Sequence, residues 1–351
     1  MRIIYHCWGG AHSSVTAAAI HLGWLPQDCR PTPAELMQIP HYDKQTREDH
    51  GHLRYMGEDE GGNQVYIMGR RGYSPIASRC LPGVLEAIGV PRQDLVMVDT
   101  MPYVNVVMMI GGTLSRAMGL VKMGRPIVLF GTRLAYDRLR RLVARVKSRT
   151  NRPVPEWKAP QAGPTKVVYS CYGSAHSSVV CAALHLGRLP RDRRPRPAEI
   201  ADLPHFDRIT WAELGDLHLI GLDEGDRAIY TVGMGGGYEL MRLAIYDLLD
   251  AYRVPHDHLV LVNALPGTNL WTLLGGYLSR RLGLVCLGRP LTLVGVTQCY
   301  KRFISLVAQT RQRLAELDAA KAMGDNEKSI VPTGGAGIGY HRRGGREGSR
   351  R

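Results

Sequence analysis

The spacing of apolar and polar residues along the first 150 positions predicts strands that alternate with helices. The short apolar run Arg2–Cys7 has the length of a buried strand. Apolar residues then recur at the spacing of one helix face, at Val15, Ala18, Ala19 and Leu22. Ser13 or Ser14 is the expected N-cap of this helix, and Gly23 is its expected end.

The same reasoning extends to the rest of this region. It predicts a helical turn at 33–38, a hairpin of strands at 53–56 and 65–68, a helix at 76–88, a strand at 95–99, a helix at 104–118, a strand at 127–130 and a long basic helix from residue 134. Strands that alternate with helices are typical of a mainly parallel sheet with helices on both faces. We therefore predict a Rossmann-like, three-layer α/β domain with the hairpin as an appendage.

The sequence of this domain is repeated 164 residues further along the chain. Residues 5–14 (YHCWGGAHSS) return as residues 169–178 (YSCYGSAHSS), and the correspondence continues to the GRP motifs at 124–126 and 288–290. Self-similarity over this length indicates a tandem duplication. Two such copies in one chain are expected to form an internal pseudo-dimer.

Composition sets the predicted boundaries between these copies. The first repeat covers 1–149, a proline-rich linker covers 150–164, and the second repeat covers 165–322. Residues 323–351 are rich in glycine and arginine and have no apolar periodicity, so we predict a disordered basic tail there.

The loop after the first predicted strand is the strongest candidate ligand site. Ligands of open α/β sheets collect where strands end and helices begin. Small residues at Gly9, Gly10 and Ala11 allow backbone N–H groups to turn inward, and Ser13 and Ser14 add hydroxyl donors. The matching residues of the second copy are Gly173, Ser174, Ala175, Ser177 and Ser178. This arrangement predicts a site for a phosphate-sized anion, with tight packing of a structural turn as the alternative.

Cysteines at the start of this loop suggest covalent chemistry. Cys7 and Cys171 occupy equivalent positions, where a helix N-terminus can activate a thiol as a nucleophile. The local spacing resembles the phosphate loops of low-molecular-weight protein tyrosine phosphatases and of the IIB proteins of sugar phosphotransferase systems. The phosphatase arginine is missing, because Ser13 and Ser177 stand in its place. This difference favours a phosphotransferase-like or a purely binding role.

Other polar residues are shared by the two copies. His12 and His176 lie within the loop and are candidate general acids or bases. Asn105 and Asn269 stand where a helix follows a strand, so they are candidates for ligand contact or for helix capping. Arg125 precedes the strand predicted at 127–130, so we expect a structural ion pair at the opposite end of the sheet.

A cluster of histidines and aspartates distinguishes the first copy. It consists of His41, Asp43, Asp49, His50 and His52. The second copy has Glu213 and Leu214 in place of Asp49 and His50. Irregular spacing favours an ordinary polar loop over a metal site. If a reaction is catalysed, this asymmetry indicates that the first copy is active and that the second is a degenerate partner.

Charge and composition limit the class of protein. The net charge of +14 favours phosphate-bearing partners, and the basic helices and tail are a candidate surface for nucleic acid. Seven cysteines without a C-x-x-C pair indicate neither a disulfide framework nor a zinc site. We predict no cofactor, no metal, no membrane segment and no signal peptide, and therefore a cytoplasmic protein.

The motifs also resemble a known family. They are residues 5–14 (YHCxGGAHSS), 43–45 (DKQ), 49–51 (DHG), 101–102 (MP), Asn105 and 124–126 (GRP). The family is an uncharacterised domain of unknown function found mainly in spore-forming Firmicutes, and this chain resembles a fused pair of its domains over 1–149 and 165–311. The resemblance implies a bacterial, intracellular protein of a sporulating lineage, and it assigns no activity.

The sequence leaves three functions open. The first is a phosphate-ligand protein that acts as a cysteine-dependent phosphatase or phosphotransferase. The second is a non-catalytic module that senses a phosphorylated metabolite or nucleotide. The third is an RNA-associated protein that uses the basic helices and tail.

Overall fold

A computed structural model describes residues 1–151, 163–280 and 283–329. The described residues up to 310, which include both sheets, belong to one compact unit, and a second unit begins at residue 311. Most of the linker predicted at 150–164 and residues 330–351 of the predicted tail lie outside the described residues. Residues 323–329 lie within the predicted tail, but they belong to the last helix.

The first repeat contains four strands and five α-helices. They are β1 Arg2–Cys7, α1 Ser13–His21, α2 Pro33–Gln38, β2 Leu53–Glu58, β3 Gln64–Gly69, α3 Ser74–Ala87, β4 Leu95–Asp99, α4 Val106–Gly112 and α5 Val121–Thr150. A π-helical turn, Thr113–Ala117, follows α4 and interrupts the single helix that we predicted over 104–118.

The described part of the second repeat follows the same order. Its elements are β5 Lys166–Cys171, α6 Ser177–His185, α7 Pro197–Ala201, β6 Leu217–Leu222, β7 Ala228–Gly233, α8 Tyr238–Ala251, β8 Leu259–Asn263, α9 Leu270–Arg280 and α10 Val285–Ser329. The starts of α3 and α8 are 164 residues apart, like the starts of β1 and β5.

Each repeat has one four-stranded, mostly parallel sheet. The strand order is β2-β3-β1-β4 in the first repeat and β6-β7-β5-β8 in the second. The central strand β1 is parallel to β3 and β4, and β2 joins β3 as the antiparallel hairpin predicted from the sequence. The prediction of two tandem α/β domains is confirmed. β1 ends at the middle of the sheet edge, which is where the candidate loop begins.

The strand predicted at 127–130 is wrong, because these residues lie inside α5. A short apolar run fits a buried helix as well as a strand, and periodicity alone does not separate the two. Glycines decide the outcome here. A Cβ atom at Gly111, Gly124 or Gly131 would collide with the backbone of the facing helix. Their absent side chains let α4 and α5 pack closely as a helical hairpin.

The start of α1 also differs from the prediction. Neither Ser13 nor Ser14 is the N-cap, because both lie inside the helix and His12 takes the cap position without a side-chain hydrogen bond. Both serines instead direct their hydroxyl groups to neighbouring side chains, as described below. The serines are therefore part of the loop's internal bonding rather than a cap.

The two faces of the first sheet pack against different partners. Residues such as Tyr5, Ile20 and Leu139 form a core between the sheet and helices α1 and α5. The other face is covered by α3, and that core continues into the second repeat through residues such as Leu81 and Leu248. The two repeats therefore share one hydrophobic core, with α3 and α8 in contact at its centre.

Contacts between the repeats are reciprocal. A Cβ atom at Gly51 would lie 2.7 Å from the carbonyl oxygen of Leu240, and one at Gly215 would lie 2.7 Å from that of Ile76. Because Gly51 corresponds to Gly215 and Ile76 corresponds to Leu240, one contact is made twice. Reciprocity of this kind defines a twofold interface. The predicted internal pair is thus a pseudo-symmetric dimer within one chain.

Candidate functional site

The two loops that follow the central strands, residues 7–14 and 171–178, are here called the cysteine loops. In the first loop, the Sγ atom of Cys7 accepts a hydrogen bond from the backbone N–H of Gly10 at 3.1 Å and lies 3.2 Å from Ser14 Oγ. Gly10 has a φ of +67°, and a Cβ there would be 2.7 Å from the amide nitrogen of Gly69. Glycine therefore allows the loop to fold back over its own sulfur. Only 5% of Cys7 is exposed.

The amides at the start of α1 are open. The backbone N–H groups of Ala11, His12 and Ser13 find no acceptor among the described residues, as expected for the first turn of a helix. The Ser13 hydroxyl is engaged, because its Oγ lies 2.9 Å from Thr100 Oγ1. The predicted glycine-rich loop therefore has free donors, although the Gly10 amide is satisfied by Cys7.

A buried carboxylate holds His12 in place. Asp43 Oδ1 lies 3.1 Å from His12 Nε2, and the same carboxylate accepts hydrogen bonds from Ser115 Oγ at 2.8 Å and from Arg125 Nε at 2.7 Å. Arg116 lies 3.2 Å away as a second ion pair. Burial raises the pKa of the Asp43 carboxyl, but the hydrogen bonds from His12, Arg125 and Ser115 outweigh burial and lower this pKa well below its ordinary value.

This arrangement corrects two expectations. Arg125 does form a structural ion pair, but it lies beside the cysteine loop and not at the opposite end of the sheet, because no strand follows it. Asp43 is not part of an ordinary polar loop. Its backbone adopts a left-handed φ of +50°, and its N–H donates to the carbonyl oxygen of Ala11 at 3.0 Å. Asp43 therefore fixes both the loop backbone and the histidine within it.

The second repeat has the same arrangement of an aspartate, a histidine, a cysteine and a serine around its loop. His176 Nε2 lies 3.2 Å from Asp207 Oδ1, which also accepts from Ser279 Oγ at 2.9 Å. Asp207 has a φ of +53°, and its N–H donates to Ala175 O. The Sγ atom of Cys171 lies 3.1 Å from Ser178 Oγ. The frame of aspartate, histidine, cysteine and serine is therefore common to both cysteine loops.

Two changes alter the hydrogen bonds in and around the second cysteine loop. Ser174 replaces Gly10 at a left-handed φ of +58°, and its buried hydroxyl has no hydrogen-bond partner among the described residues. Ala264 replaces Thr100, so Ser177 lacks the hydroxyl partner that Ser13 has. Within the described part of the chain, the Ser177 hydroxyl makes no hydrogen bond to protein.

A cavity of about 460 Å³ opens onto the second loop. Cys171, His176 and Ser177 line its polar end, and side chains such as Trp211 and Leu214 form an apolar wall. Cavities of this size that combine apolar walls with a few polar groups are typical of small-molecule sites. The cavity is not predicted from the sequence, because its walls come from three separate segments.

The rim of the first loop is polar instead. The ring of His50, which corresponds to Leu214, lies over the loop, with Nε2 3.8 Å from the position of a Cβ on Gly9. Its Nδ1 accepts a hydrogen bond from Arg71 Nε at 2.9 Å. Burial and the Arg71 charge lower the pKa of His50. The segment that we identified as the asymmetry between the copies therefore borders the candidate site.

A second buried group lies behind the first loop. Arg70 donates to His6 Nδ1 at 3.2 Å and to both oxygens of Asp99 at 3.0 and 2.9 Å. Burial, with a smaller contribution from Arg70, lowers the pKa of His6 to about 4 although Asp99 opposes the shift. The second repeat has Ser170, Met234 and Asn263 at these places. Sequence reasoning missed this group, since its members are far apart along the chain.

The asparagines act as helix caps. Asn105 Oδ1 accepts from the Met108 N–H at 2.8 Å, and its Nδ2 donates to the carbonyl oxygen of Gly131 at 2.8 Å. Asn269 Oδ1 accepts from the Thr272 N–H at 3.0 Å. These contacts support the capping interpretation over ligand contact.

A buried hydrogen-bonded chain was also missed. Tyr5 OH lies 2.7 Å from His21 Nδ1, and His21 Nε2 lies 2.8 Å from Asp59 Oδ2. Tyr169, His185 and Asp223 repeat it in the second copy. Because the chain joins β1, α1 and the hairpin turn within the core, we assign it a structural role. The shared spacing of these residues was its only sequence signal.

The fold and the loops define a duplicated α/β protein with a cysteine at each strand-to-helix turn. A family described as "Protein of unknown function (DUF3189)" matches residues 2–148 and again residues 166–312. The chain belongs to this family and contains its domain twice, as the sequence resemblance predicted. No curated protein and no solved structure matches the chain.

Two other findings concern metal sites and membrane-spanning helices. Among the described residues, no group of three or more His, Cys, Asp or Glu side chains is placed to hold a metal ion. In the same part of the chain, no helix combines the length and the apolar character needed to cross a membrane.

Proposed function

We propose that the cysteine loops bind a phosphate-bearing small molecule, and that the first repeat transfers the phosphoryl group through Cys7. The observation that carries this proposal is the set of unpaired backbone N–H groups at Ala11, His12 and Ser13, next to the cysteine. Helix N-termini with free amides bind anions through direct hydrogen bonds and the helix dipole. Arg71 and His50 add donors at the rim.

The proposed chemistry follows from the contacts of Cys7. Hydrogen bonds donated to sulfur, such as that from the Gly10 amide, are those that a thiolate accepts. The thiolate attacks phosphorus, an S–P bond forms, and the ester P–O bond breaks. His12 donates a proton to the leaving oxygen. Water or an acceptor hydroxyl then attacks phosphorus, the S–P bond breaks, and His12 takes up the proton.

Asp43 has a positioning role in this scheme. It holds His12 through Nε2 and leaves Nδ1 for proton transfer. Because Asp43 stays ionised, it stabilises the protonated imidazole that forms during each cycle.

Matched cysteine variants test the proposal. Inorganic phosphate should raise the melting temperature of the wild-type protein and of Cys7→Ser. Hydrolysis of p-nitrophenyl phosphate should be lost in Cys7→Ser and kept in Cys29→Ser, which alters an exposed cysteine outside the loops. Absence of a phosphate-dependent shift would refute binding, and full turnover by Cys7→Ser would refute the covalent step.

The low exposure of Cys7 favours a second candidate, a module that binds a phosphorylated metabolite or nucleotide without reaction. This candidate predicts phosphate-dependent stabilisation without turnover in the wild-type protein and in every cysteine variant.

A third candidate is RNA binding through the basic face of α5. Its exposed residues include Arg138, Arg141, Arg145 and Arg149. This candidate predicts that RNA retention falls steeply with salt and is reduced by removal of residues 330–351.

We also propose a cytoplasmic location in a spore-forming bacterium, as the family resemblance implies. All seven cysteines are free, which suits a reducing compartment. Cell fractionation with antibodies to the chain tests the location.

A further inference from the structure

The cavity of the second repeat differs from the first loop in what surrounds the shared frame. A short turn displays Trp211 at its wall, and this turn is fixed by hydrogen bonds from Thr210 N and Oγ1 to Glu213 Oε2 at 2.8 and 2.6 Å. The first repeat builds the same turn, since Thr46 N and Oγ1 donate to Asp49 Oδ2 at 2.7 and 2.9 Å. The two repeats thus share the backbone of this turn and differ in the side chain that it displays.

The residues displayed by this segment change from polar to apolar. Gln45, Arg47 and His50 of the first repeat correspond to Ile209, Trp211 and Leu214 of the second, and all three of the latter line the cavity. Loss of these polar groups removes hydrogen-bonding capacity from the wall and adds apolar surface for a ligand to cover.

Aromatic rings form the mouth of the cavity. Tyr172 and Trp211 meet edge to face, with ring centroids 5.8 Å apart and planes at 82°. Both rings are partly exposed, Trp211 to 37%. Such an arrangement presents ring surface to a planar ligand group.

At the polar end of the cavity, the hydroxyl group of Ser177 is available as a hydrogen-bond donor. Ser177 is 2% exposed, lines the cavity, and makes no hydrogen bond to the described residues, because Ala264 stands where Thr100 engages Ser13 in the first repeat. The Ser177 hydroxyl can therefore donate to, or accept from, a group that enters the cavity. Together with the open amides of Ala175 and His176, Ser177 marks the end of the cavity that would hold an anion.

We propose that the second repeat is a binding site for a phosphate monoester of an aromatic group. The phosphate lies at the start of α6, against Ser177, and the ring packs on the wall formed by Trp211 and Leu214. This inference rests on the proposed phosphate binding by the cysteine loops. It makes the second repeat a site with a ligand class of its own rather than a degenerate copy.

Calorimetric titration of the full chain with phenyl phosphate and with inorganic phosphate tests the proposal. Phenyl phosphate should bind about tenfold or more tightly than inorganic phosphate, because its ring covers apolar surface. Trp211→Arg combined with Leu214→His introduces the first-repeat residues and should abolish that preference while inorganic phosphate binding persists. Ser177→Ala should weaken both ligands by about tenfold, since a charge-assisted hydrogen bond is lost.

Controls separate the possible failures. Arg47→Trp in the first repeat is the matched control and should leave the second site unchanged, and Trp211→Phe should keep the preference. If neither ligand binds, the proposed function fails. If both bind equally, or if the double variant keeps the preference, the aromatic site is overturned and phosphate binding by the loops stands.

Discussion

The two repeats keep one frame and change what surrounds it. In both, a buried aspartate with a left-handed backbone holds the histidine and the backbone of the cysteine loop. Around that frame, the first repeat has the His50–Arg71 pair, and the second has the apolar wall of Trp211 and Leu214. The comparison separates the shared residues that build the loop from the differing residues that border it.

The difference continues behind the loops. His6, Arg70 and Asp99 form a buried charged group in the first repeat, where the second has uncharged side chains. The first loop is therefore backed by three titratable side chains, whereas the three equivalent described positions of the second repeat hold none. This contrast is consistent with the two proposals above, a reaction in the first repeat and selective binding in the second.

The largest expected effect comes from the shared frame. Asp43→Ala leaves Arg125 and His12 around an empty acceptor position, so we expect a loss of about 3–5 kcal/mol in the free energy of unfolding. Asp207→Ala should have a similar effect, whereas Asp137→Ala, in an exposed pair with Arg30, should cost less than about 1 kcal/mol. Urea denaturation measures all three. A loss for Asp43→Ala as small as that for Asp137→Ala would show that the frame is not essential.

An intermediate effect is expected for acid stability. The pKa of His6 is about 4 in the folded protein and near 6.5 when unfolded, so between these values the unfolded state binds more protons. The free energy of unfolding should therefore fall by up to about 3 kcal/mol as pH drops from 6.5 to 4. His6→Ser, which introduces the second-repeat residue, should flatten this part of the pH profile.

Ser170→Ala is the matched variant for that profile and should leave its slope unchanged. Other buried histidines contribute to the wild-type slope, so the informative quantity is the difference between the His6→Ser and wild-type curves. Parallel curves from pH 6.5 to 4 would contradict the burial of a neutral His6.

The smallest effect is expected at the loop position that is Gly10 in the first repeat and Ser174 in the second. Ser174→Gly removes a left-handed serine and a buried hydroxyl without a described partner, so we expect a gain of about 1 kcal/mol in stability. Gly10→Ser should instead destabilise, because its Cβ would lie 2.7 Å from Gly69 N. Thermal and urea unfolding measure both. A destabilised Ser174→Gly would indicate that the serine hydroxyl has a partner after all.

Local signals predicted much of this fold. Apolar runs at β1 and β4 and the turn-rich hairpin were placed correctly, because each has a length or a turn composition typical of its structure. Similarity between segments 164 residues apart revealed the duplication without structural information. The cysteine loops were found because their glycines and serines are contiguous in sequence.

Features that depend on distant residues were not predicted. The apolar run at 127–130 predicts a strand, and only its packing through Gly111 and Gly124 shows it to be helical. Asp43 was undervalued for the same reason, because its partners Ser115 and Arg125 are more than 70 positions away. The apolar wall of the cavity was also not predicted, although one residue of that wall, Leu214, was recognised as a replacement for His50.

The reciprocal contacts of Gly51 and Gly215 have a consequence for how the sequence of this protein can evolve. In a homodimer, each substitution appears on both sides of the axis at once. A covalent tandem removes that constraint, so the residues that border the loop can change in one half while the other half keeps them. The halves also stay joined at any dilution, which frees their association from dependence on protein concentration.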